Sequence, residues 1–202
     1  MSKKRQKARI AVIKRSTSET KIEIKLNLDG SGKGSIDTGI PFLDHMLTAL
    51  SKHGVLDLNL MAKGDLHIDL HHTNEDIGIA LGQAFKQALG KKQGIRRYGF
   101  FYIPMGDTLV RVVLDFSGRY SFQMKAKEKT RAKIGEYAIN DAEHFLESFA
   151  QNVGMDLHVD VLSGQDRHHV IEAIFKALAR SIDMAKQVDS RQSGVPSTKG
   201  AL

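Results

Sequence analysis

One polar pattern occurs twice in the chain, at a spacing of nearly half its length. It consists of an acidic residue followed by a histidine and, 24 or 26 residues after that histidine, a histidine doublet with a glutamate three positions behind it. The two copies are Asp44, His45, His71, His72 and Glu75, and Glu143, His144, His168, His169 and Glu172. The doublets begin 97 residues apart. One folding unit has therefore been used twice, and the fold must accommodate two similar halves.

The repeated residues offer nitrogen and oxygen donors of the kind that bind metal ions in proteins. Eight imidazole and carboxylate groups are enough to hold two ions and to leave room for a substrate. The chain contains no cysteine, which excludes disulfide bonds, thiolate nucleophiles and sulfur ligands. The pattern predicts a di-metal enzyme whose ligands are His45, His71, His72, Glu75, His144, His168, His169 and Glu172.

Composition narrows the class of protein and its surroundings. With 202 residues, 41% of them hydrophobic, the chain can build the core of a globular protein. No apolar run approaches the roughly 18 residues that span a bilayer, and the N-terminus lacks the apolar stretch of a secretory signal. The formal net charge is +7, and residues 1–9 form a basic tail with five positive charges and no acidic residue, so the remainder is nearly balanced. We expect a cytoplasmic protein with neither a membrane nor a nucleic acid as its partner.

Hydrophobic periodicity predicts the same order of elements in both halves. In the first half, apolar residues alternate as in strands at 10–14, 21–28 and 55–61, and they follow helical spacing at 42–54 and 77–90. In the second half, strands are expected at 99–103, 109–116 and 155–161, and helices at 143–153 and 170–185. The sequence predicts an α+β fold that duplicates a two-layer α/β sandwich. The basic, glycine-containing stretch 91–96 separates a first repeat, 1–93, from a second, 94–202.

A short polar alternation precedes the first doublet. Asp65, His67, Asp69 and His71 occupy every second position, so a strand here would direct all four side chains to one face. Each doublet is expected where such a strand or a loop becomes a helix.

Helical geometry limits how the repeated residues can share ions. Adjacent residues of a helix do not face each other, so the two histidines of a doublet should serve different ions. The glutamate can pair with the histidine four positions before it or with the one three positions before it, and the sequence leaves both pairings open. Asp76 has no acidic counterpart after Glu172, where Ala173 stands. We interpret Asp76 as a charge near the helix start or a group behind the ligands.

Three segments offer groups that suit a phosphate monoester, for which guanidinium forks, hydroxyls and lysine are the usual partners. They are Arg96-Arg97, Gly118-Arg119 and Ser197-Thr198-Lys199. Each is equally typical of solvated surface residues. Glu19, in a loop between two predicted strands, is either an acid-base group or a turn residue.

At these residues the chain resembles the imidazoleglycerol-phosphate dehydratase family over nearly everything from Arg9 to Leu202. The motifs that carry the resemblance are Glu19-Thr20, the segments 26–32 and 42–47, Asp69 to Asp76 with both histidines of the first doublet, Asp115 to Arg119, and Pro196 to Gly200.

The resemblance implies the duplicated fold of the second domain of ribosomal protein S5. It implies two Mn(II) ions per active site and a homo-oligomeric shell of 24 subunits with active sites between subunits. The implied activity is a lyase reaction of histidine biosynthesis, the dehydration of D-erythro-imidazoleglycerol phosphate to imidazole acetol phosphate.

The resemblance also assigns roles to individual positions. The eight repeated histidines and glutamates would be the metal ligands. A phosphate site in the C-terminal repeat and its tail would comprise Arg97, Arg119, Ser197, Thr198 and Lys199, and Glu19 would lie beside the glycerol carbons. The implied catalytic set is Glu19, His72, Glu75, His169 and Glu172.

The expected chemistry follows from what the substrate lacks. The carbon proton to be lost has no carbonyl group beside it, so the route is expected to pass through a dimanganese-bound imidazolate as the electron source. Glu19 or a metal-bound water is expected to handle proton transfer.

Three other classes of protein fit parts of the pattern. A metal-nucleated assembly protein would use the histidines to join subunits without catalysis. An RNA-binding module of the S5-like fold is disfavoured by the 6% aromatic content, which leaves few stacking residues. A di-metal phosphatase would normally use more bridging aspartates.

Overall fold

The computed structural model describes residues 8–126, 133–200 and 202. The strands are β1 Ile10–Ser16, β2 Thr20–Asn27, β3 Gly34–Asp37, β4 Asp57–Gly64, β5 Tyr98–Met105, β6 Thr108–Asp115, β7 Ser121–Lys125, β8 Lys133–Ile134, β9 Tyr137–Ala138 and β10 Asp156–Ser163. The helices are α1 Pro41–His53, α2 His71–Leu89, α3 Ile139–Val153 and α4 Arg167–Lys186. Within the described residues, no helix combines the length and apolar character needed to cross a membrane. The cationic residues Lys3, Lys4, Arg5 and Lys7 of the basic tail lie outside these ranges.

Two four-stranded sheets share one topology. Their strand orders are β1-β2-β4-β3 and β5-β6-β10-β7. In each, the first three strands of that order are antiparallel neighbours, and the fourth pairs in parallel at the edge. The predicted α+β fold with an internal duplication is thereby confirmed.

The alternation that predicts β2 is realised in its burial. Ile22, Ile24 and Leu26 are at most 1% exposed, whereas Lys21 and Lys25 between them face solvent. Such a strand lies on the core with one face only. The predicted glycine stops are also found, because α1 ends before Gly54 and α2 before Gly90.

Three features of the predicted element order were wrong or incomplete. The edge strands β3 and β7 were not predicted; each is short and depends on parallel pairing with a strand distant in sequence. The small ribbon of β8 and β9 was also missed. Helix α3 begins at Ile139, four residues before the predicted start, because the Asp141 carboxylate accepts a hydrogen bond from the backbone N–H of Ala138 at 2.7 Å.

The stretch from Asp65 to Leu70 forms turns and bends, so the strand expected from its polar alternation is absent. The backbone N–H of Ile68 donates to the carbonyl of Asp65 at 2.8 Å. Aspartate side chains stabilise this path by hydrogen bonds to groups near the doublet. Ile68, which alternates with the polar residues, is 63% exposed.

Packing between the halves occurs through the helices. Helix α2 lies on the first sheet and packs against α3, whereas α4 lies on the second sheet and packs against α1. Gly78 and Gly82 on α2 permit a close approach, since a Cβ on either would lie within 2.8 Å of backbone or side-chain atoms of α3. The core continues through this contact as one cluster that includes Phe85, Phe145 and Phe149.

Replacing Gly82 by Ala is expected to destabilise the protein. Alanine would gain about 1 kcal/mol of helix propensity, but its Cβ would lie 2.6 Å from Asn152 Cβ and 2.7 Å from the carbonyl oxygen of Phe149. Overpacking against backbone costs roughly 1–3 kcal/mol and outweighs that gain. We expect a lower thermal midpoint for Gly82→Ala, while Gln87→Ala, at an exposed site of the same helix, leaves it nearly unchanged. A midpoint raised by Gly82→Ala would contradict this tight packing.

Candidate active site

Helix packing across the halves assembles the first donor cluster. His168 lies at the start of α4 and Glu172 one turn later, and α1 brings His45 against them. Glu172 Oε2 lies 3.1 Å from His168 Nε2 and 3.6 Å from His45 Nε2. One donor atom from each of the three residues lies within 4.8 Å of the other two. A histidine from the first half thus joins the doublet of the second.

The charge of Glu172 is stabilised although the residue is buried. Its other carboxylate oxygen, Oε1, pairs with Lys176 Nζ at 2.7 Å. Burial alone would raise the pKa of Glu172, but the hydrogen bond and charge of Lys176, with His45, lower it overall. The carboxylate is therefore ionised at neutral pH, with Oε2 directed at the two imidazoles.

A second cluster has the same composition on the other pair of helices. His71 Nε2 lies 3.8 Å from Glu75 Oε2, and the rings of His71 and His144 are 5.2 Å apart. These three residues line a cavity of about 160 Å³ with Glu147 and the polar residues after it on α3. The second-half helix α3 thus supplies a histidine to the doublet of the first half. The two clusters are built from equivalent residues of the two repeats.

The structure brings together one of the two pairings that the sequence left open. In both copies the glutamate contacts the histidine four positions before it, His71 for Glu75 and His168 for Glu172. The second histidine of each doublet lies near a different carboxylate, Asp65 for His72 and Asp166 for His169. The ring planes are inclined by 71° between His71 and His72 and by 87° between His168 and His169.

His72 and His169 have different surroundings. Asp65 Oδ2 lies 3.0 Å from His72 Nδ1, and this hydrogen bond raises the pKa of His72 despite the opposing effect of burial. Such a carboxylate fixes the ring so that Nε2 is free to bind a metal ion. His169 Nδ1 lies 3.9 Å from Asp166 Oδ2, beyond hydrogen-bonding distance. Neither histidine is within the two clusters described above.

Sequence reasoning did not predict the role of the two aspartates that precede the doublets, Asp69 and Asp166. The Asp69 carboxylate accepts a hydrogen bond from the N–H of His71 at 2.8 Å, and the Asp166 carboxylate accepts one from the N–H of His168 at the same distance. These backbone hydrogen bonds hold the doublets in the first helical turn, and the bond from His169 lowers the pKa of Asp166. Both aspartates stand two positions before a doublet, so aligning the two copies would have found them.

Asn74 is a structural residue that the sequence did not single out. It is 1% exposed. It accepts a hydrogen bond from the Tyr137 hydroxyl at 2.9 Å and donates one to the carbonyl of Asp141 at 2.8 Å. These contacts join the first turn of α2 to the start of α3 and so fix the helices that carry the second cluster.

All five residues expected to bind phosphate line one cavity of about 1020 Å³. They are Arg97, Arg119, Ser197, Thr198 and Lys199. The Arg119 side chain is exposed, and within residues 8–126, 133–200 and 202 it has no hydrogen bond or ion pair. Its guanidinium fork is available to an anion. None of the eight repeated histidines and glutamates lines this cavity.

Arg97 is already engaged by the protein. Its guanidinium donates two hydrogen bonds to Asp115, at 2.6 and 2.8 Å, and a third to the carbonyl of Pro196 at 2.8 Å. The bond to Asp115 is also the main reason that the pKa of Arg97 is raised. Arg97 therefore anchors the C-terminal segment at the cavity wall, with its charge balanced by Asp115.

Glu19 lies beside the first doublet. Its side chain is 49% exposed, and Oε2 is 3.8 Å from His72 Nδ1. With Asp65 and His72 it forms a further group whose donor atoms lie within 4.8 Å of one another. A carboxylate at this position can exchange protons with a small molecule bound at the doublet.

The donor sets fit divalent metal ions. Each cluster combines two imidazoles with one carboxylate, a set that suits several first-row ions and leaves coordination positions open. The ionised Glu172 carboxylate places a negative charge beside the two imidazoles of the first cluster. The contact of Asp65 with Nδ1 of His72 leaves Nε2 of that ring available. The fold and these clusters define a duplicated α+β protein with two related groups of candidate metal ligands and a separate cavity lined by cationic and hydroxyl side chains.

Comparison with known proteins identifies the family. The family model described as imidazoleglycerol-phosphate dehydratase matches residues 38–182. An imidazoleglycerol-phosphate dehydratase of Thioalkalivibrio sulfidiphilus is 52% identical over 96% of this chain and 98% of its own, and one from Geobacillus kaustophilus is 52% identical over 96% and 100%. The chain belongs to the imidazoleglycerol-phosphate dehydratase family, and it is an enzyme, a dehydratase of histidine biosynthesis.

Solved structures agree with this assignment. A crystal structure of imidazoleglycerol-phosphate dehydratase from Staphylococcus aureus has a TM-score of 0.80 at 37% identity, covering 89% of this chain and 99% of that one. The enzyme from Pyrococcus furiosus, in complex with (S)-C348, has a TM-score of 0.81 at 34% identity, covering 94% and 100%. The similarity extends over both halves of the duplicated fold.

Proposed function

We propose that this enzyme acts on D-erythro-imidazoleglycerol phosphate in the cytoplasm and forms imidazole acetol phosphate and water, using two Mn(II) ions per active site. The observation that carries the proposal is the pair of related clusters, each with two imidazoles and one carboxylate on helices from opposite halves. When bound, the two cations would favour the deprotonated form of the substrate's imidazole ring and so make it electron-releasing.

The residues of the chain would hold the ions as two similar sets. His45, His168 and Glu172 would bind one ion, and His71, Glu75 and His144 the other. His72 and His169 would complete the coordination of ions held by neighbouring subunits, because neither belongs to the cluster on its own helix. Manganese is the proposed ion, although the donor set alone also suits zinc or iron.

A complete active site would therefore lie between subunits. Within one chain, the phosphate cavity shares no lining residue with the clusters, and neither cluster contains the second histidine of a doublet. Contributions from neighbouring copies would bring these parts together. We propose a closed homo-oligomeric shell of 24 subunits as the assembly in which every subunit gives and receives such contributions.

The remaining residues would bind and orient the substrate. Arg119, Lys199 and the hydroxyls of Ser197 and Thr198 would hold the phosphate, with Arg97 as the anchor of that segment. Binding energy from the phosphate, remote from the reacting carbons, would align the glycerol chain. Glu19 would remove or return a proton at the glycerol carbons, and His72, Glu75, His169 and Glu172 would contribute to catalysis as ligands.

Removal and restoration of metal tests the proposed function. The purified enzyme would be treated with a chelator, its metal content verified, and Mn(II) or Zn(II) added back, with particle mass and dehydration of imidazoleglycerol phosphate followed together. We expect loss of turnover on chelation and recovery with Mn(II). Turnover that persists in protein shown to be free of metal would refute the metal-dependent mechanism. A metal-loaded particle of full size without turnover would refute the proposed activity.

Replacing Arg119 by Ala is expected to raise KM and to lower kcat. A charge-assisted hydrogen bond contributes about 1.5–3 kcal/mol, which corresponds to roughly 10- to 100-fold in affinity for the phosphate ester. The matched control is Arg191→Ala, since Arg191 is also exposed but pairs with Asp189 and does not line the cavity. Steady-state kinetics of both variants would be compared. Unchanged KM in Arg119→Ala would exclude Arg119 from the phosphate site.

A further inference from the structure

The loop that carries Glu19 is a hydrogen-bonded turn between β1 and β2. The Thr17 hydroxyl accepts hydrogen bonds from the backbone N–H groups of Glu19 and Thr20, at 3.2 and 2.9 Å. The N–H of Thr17 donates to the carbonyl of Thr20 at 2.9 Å. These contacts define the shape of the turn, but all of them lie within it, so they do not fix its position relative to the doublet.

A buried side-chain hydrogen bond joins this turn to helix α2. The Thr20 hydroxyl donates a hydrogen bond to Asp76 Oδ2 at 2.5 Å. Both residues are buried, at 3% and 8% exposure. Asp76 follows Glu75 directly and lies one helical turn after His72, so the contact ties the turn to the part of α2 that carries the first doublet.

The other oxygen of Asp76 has its own partner. Asp76 Oδ1 accepts hydrogen bonds from Arg15 Nε and from the Arg15 terminal nitrogen, at 3.0 and 2.6 Å. The charge of Asp76 is thereby balanced from β1, which leaves Oδ2 for the Thr20 hydroxyl. Burial of a carboxylate is unfavourable unless both of its oxygens are hydrogen-bonded. Both oxygens of Asp76 have such partners.

Glu19 itself contributes little to its own placement. Its carboxylate is half-exposed, and within the described residues its ion-pair contact is with His72, at 3.8 Å. Exposed pairs at this distance are weak. The distance between Glu19 and the doublet is therefore set through the backbone, whose nearest buried anchor is the next residue, Thr20.

We propose that Thr20 is a positioning residue, whose hydroxyl bond to Asp76 holds the Glu19 carboxylate beside His72 at the distance that proton transfer requires. The inference rests on the proposed acid-base role of Glu19. Thr20 does not touch the substrate; it acts through Glu19. Displacement of a reacting group by about 1 Å costs on the order of 100-fold in rate, so loss of the anchor should affect kcat far more than KM.

The test is a double-mutant cycle between positions 19 and 20. Thr20→Val removes the hydroxyl at nearly constant volume, and Thr20→Ser retains it. Both are made in the natural chain and together with Glu19→Gln, and kcat, KM, bound Mn(II), particle mass and thermal midpoint are measured. We expect Thr20→Val to lower kcat by about 10- to 100-fold with KM and bound metal unchanged, and Thr20→Ser to stay within about threefold of the natural enzyme.

The cycle separates positioning from a general structural role. If Thr20 acts through Glu19, Thr20→Val has less than about a twofold further effect once Glu19 is Gln, because the interaction is already lost. An equal loss of kcat in both backgrounds, or a loss of bound metal that accounts for the lost rate, would overturn the proposal. Should Thr20→Val fail to assemble, Thr20→Ala removes the same hydroxyl without placing a methyl group against Asp76, and the same criteria apply to it.

Failure of this proposal is distinguishable from failure of the proposed function. If Glu19→Gln is inactive and Thr20→Val is fully active, Glu19 keeps its role and Thr20 loses its own. If Glu19→Gln retains near-natural turnover, the acid-base assignment falls and the role of Thr20 falls with it.

Discussion

Replacing His168 by Ala is expected to remove one of two metal ions per subunit and to lower kcat by about 1000-fold or more. His168 is half-exposed and lies 3.1 Å from Glu172, so its loss takes a donor from the first cluster without opening the core. A catalytic cation contributes several kcal/mol to the transition state, and about 4 kcal/mol corresponds to three orders of magnitude. Bound metal would be measured by elemental analysis beside steady-state rates.

The matched control for this substitution is His158→Ala. His158 lies on β10, is exposed, and belongs to neither cluster. We expect natural metal content and turnover from it. A His168→Ala enzyme that keeps both ions and natural activity would exclude this cluster as a metal site. Loss of the ion with unchanged kcat would instead assign the ion to assembly alone.

The sequence predicts the donors but not how they combine. The repeat places His45 with the first doublet and His144 with the second, because each precedes its doublet along the chain. The structure pairs them crosswise, His45 with His168 and His144 with His71. That arrangement depends on α1 packing against α4 and α2 against α3. No local periodicity encodes these contacts, although Gly78 and Gly82 are the residues that make the second one close.

Local rules succeed where one interaction dominates. Alternating burial defines β2, and α1 and α2 end before Gly54 and Gly90, of which Gly90 has a positive φ that favours glycine. The rules fail between Asp65 and His71, where the alternation is typical of a strand. There the carboxylates of Asp65 and Asp69 bond to groups of the doublet and stabilise a turn instead. The polar side chains whose spacing wrongly predicts a strand are the ones that orient the candidate ligands.

The same tertiary dependence explains why the sequence could nominate the residues expected to bind phosphate but could not place them together. Arg97, Arg119 and the C-terminal segment are distant in sequence, and each alone is typical of solvated surface residues. Arg97 links β6 to the C-terminal segment, because its guanidinium donates to Asp115 and to the carbonyl of Pro196. A sequence pattern can nominate these residues, but only the fold places them around one cavity.

Replacing Glu19 by Gln is expected to lower kcat by about 100-fold or more, with metal content and particle mass unchanged. Glutamine preserves the size of the side chain but cannot take up or release a proton in its place. Because Glu19 is 49% exposed and 3.8 Å from His72, the substitution should leave the fold intact. The reaction would be followed at saturating imidazoleglycerol phosphate, so that the change reports the chemical step.

Glu23→Gln is the control that distinguishes loss of the carboxylate at position 19 from loss of a negative charge elsewhere on the surface. Glu23 lies on the same strand as Thr20, is 50% exposed and pairs with Lys14 on the outer face of the sheet. Its replacement removes the same charge at the same exposure, away from the doublet, and should leave kcat within about twofold. Comparable losses from both variants would mean that net charge or assembly, rather than proton transfer, accounts for the effect. Natural turnover in Glu19→Gln with both ions bound would leave His72 and the remaining ligands to move the proton without it.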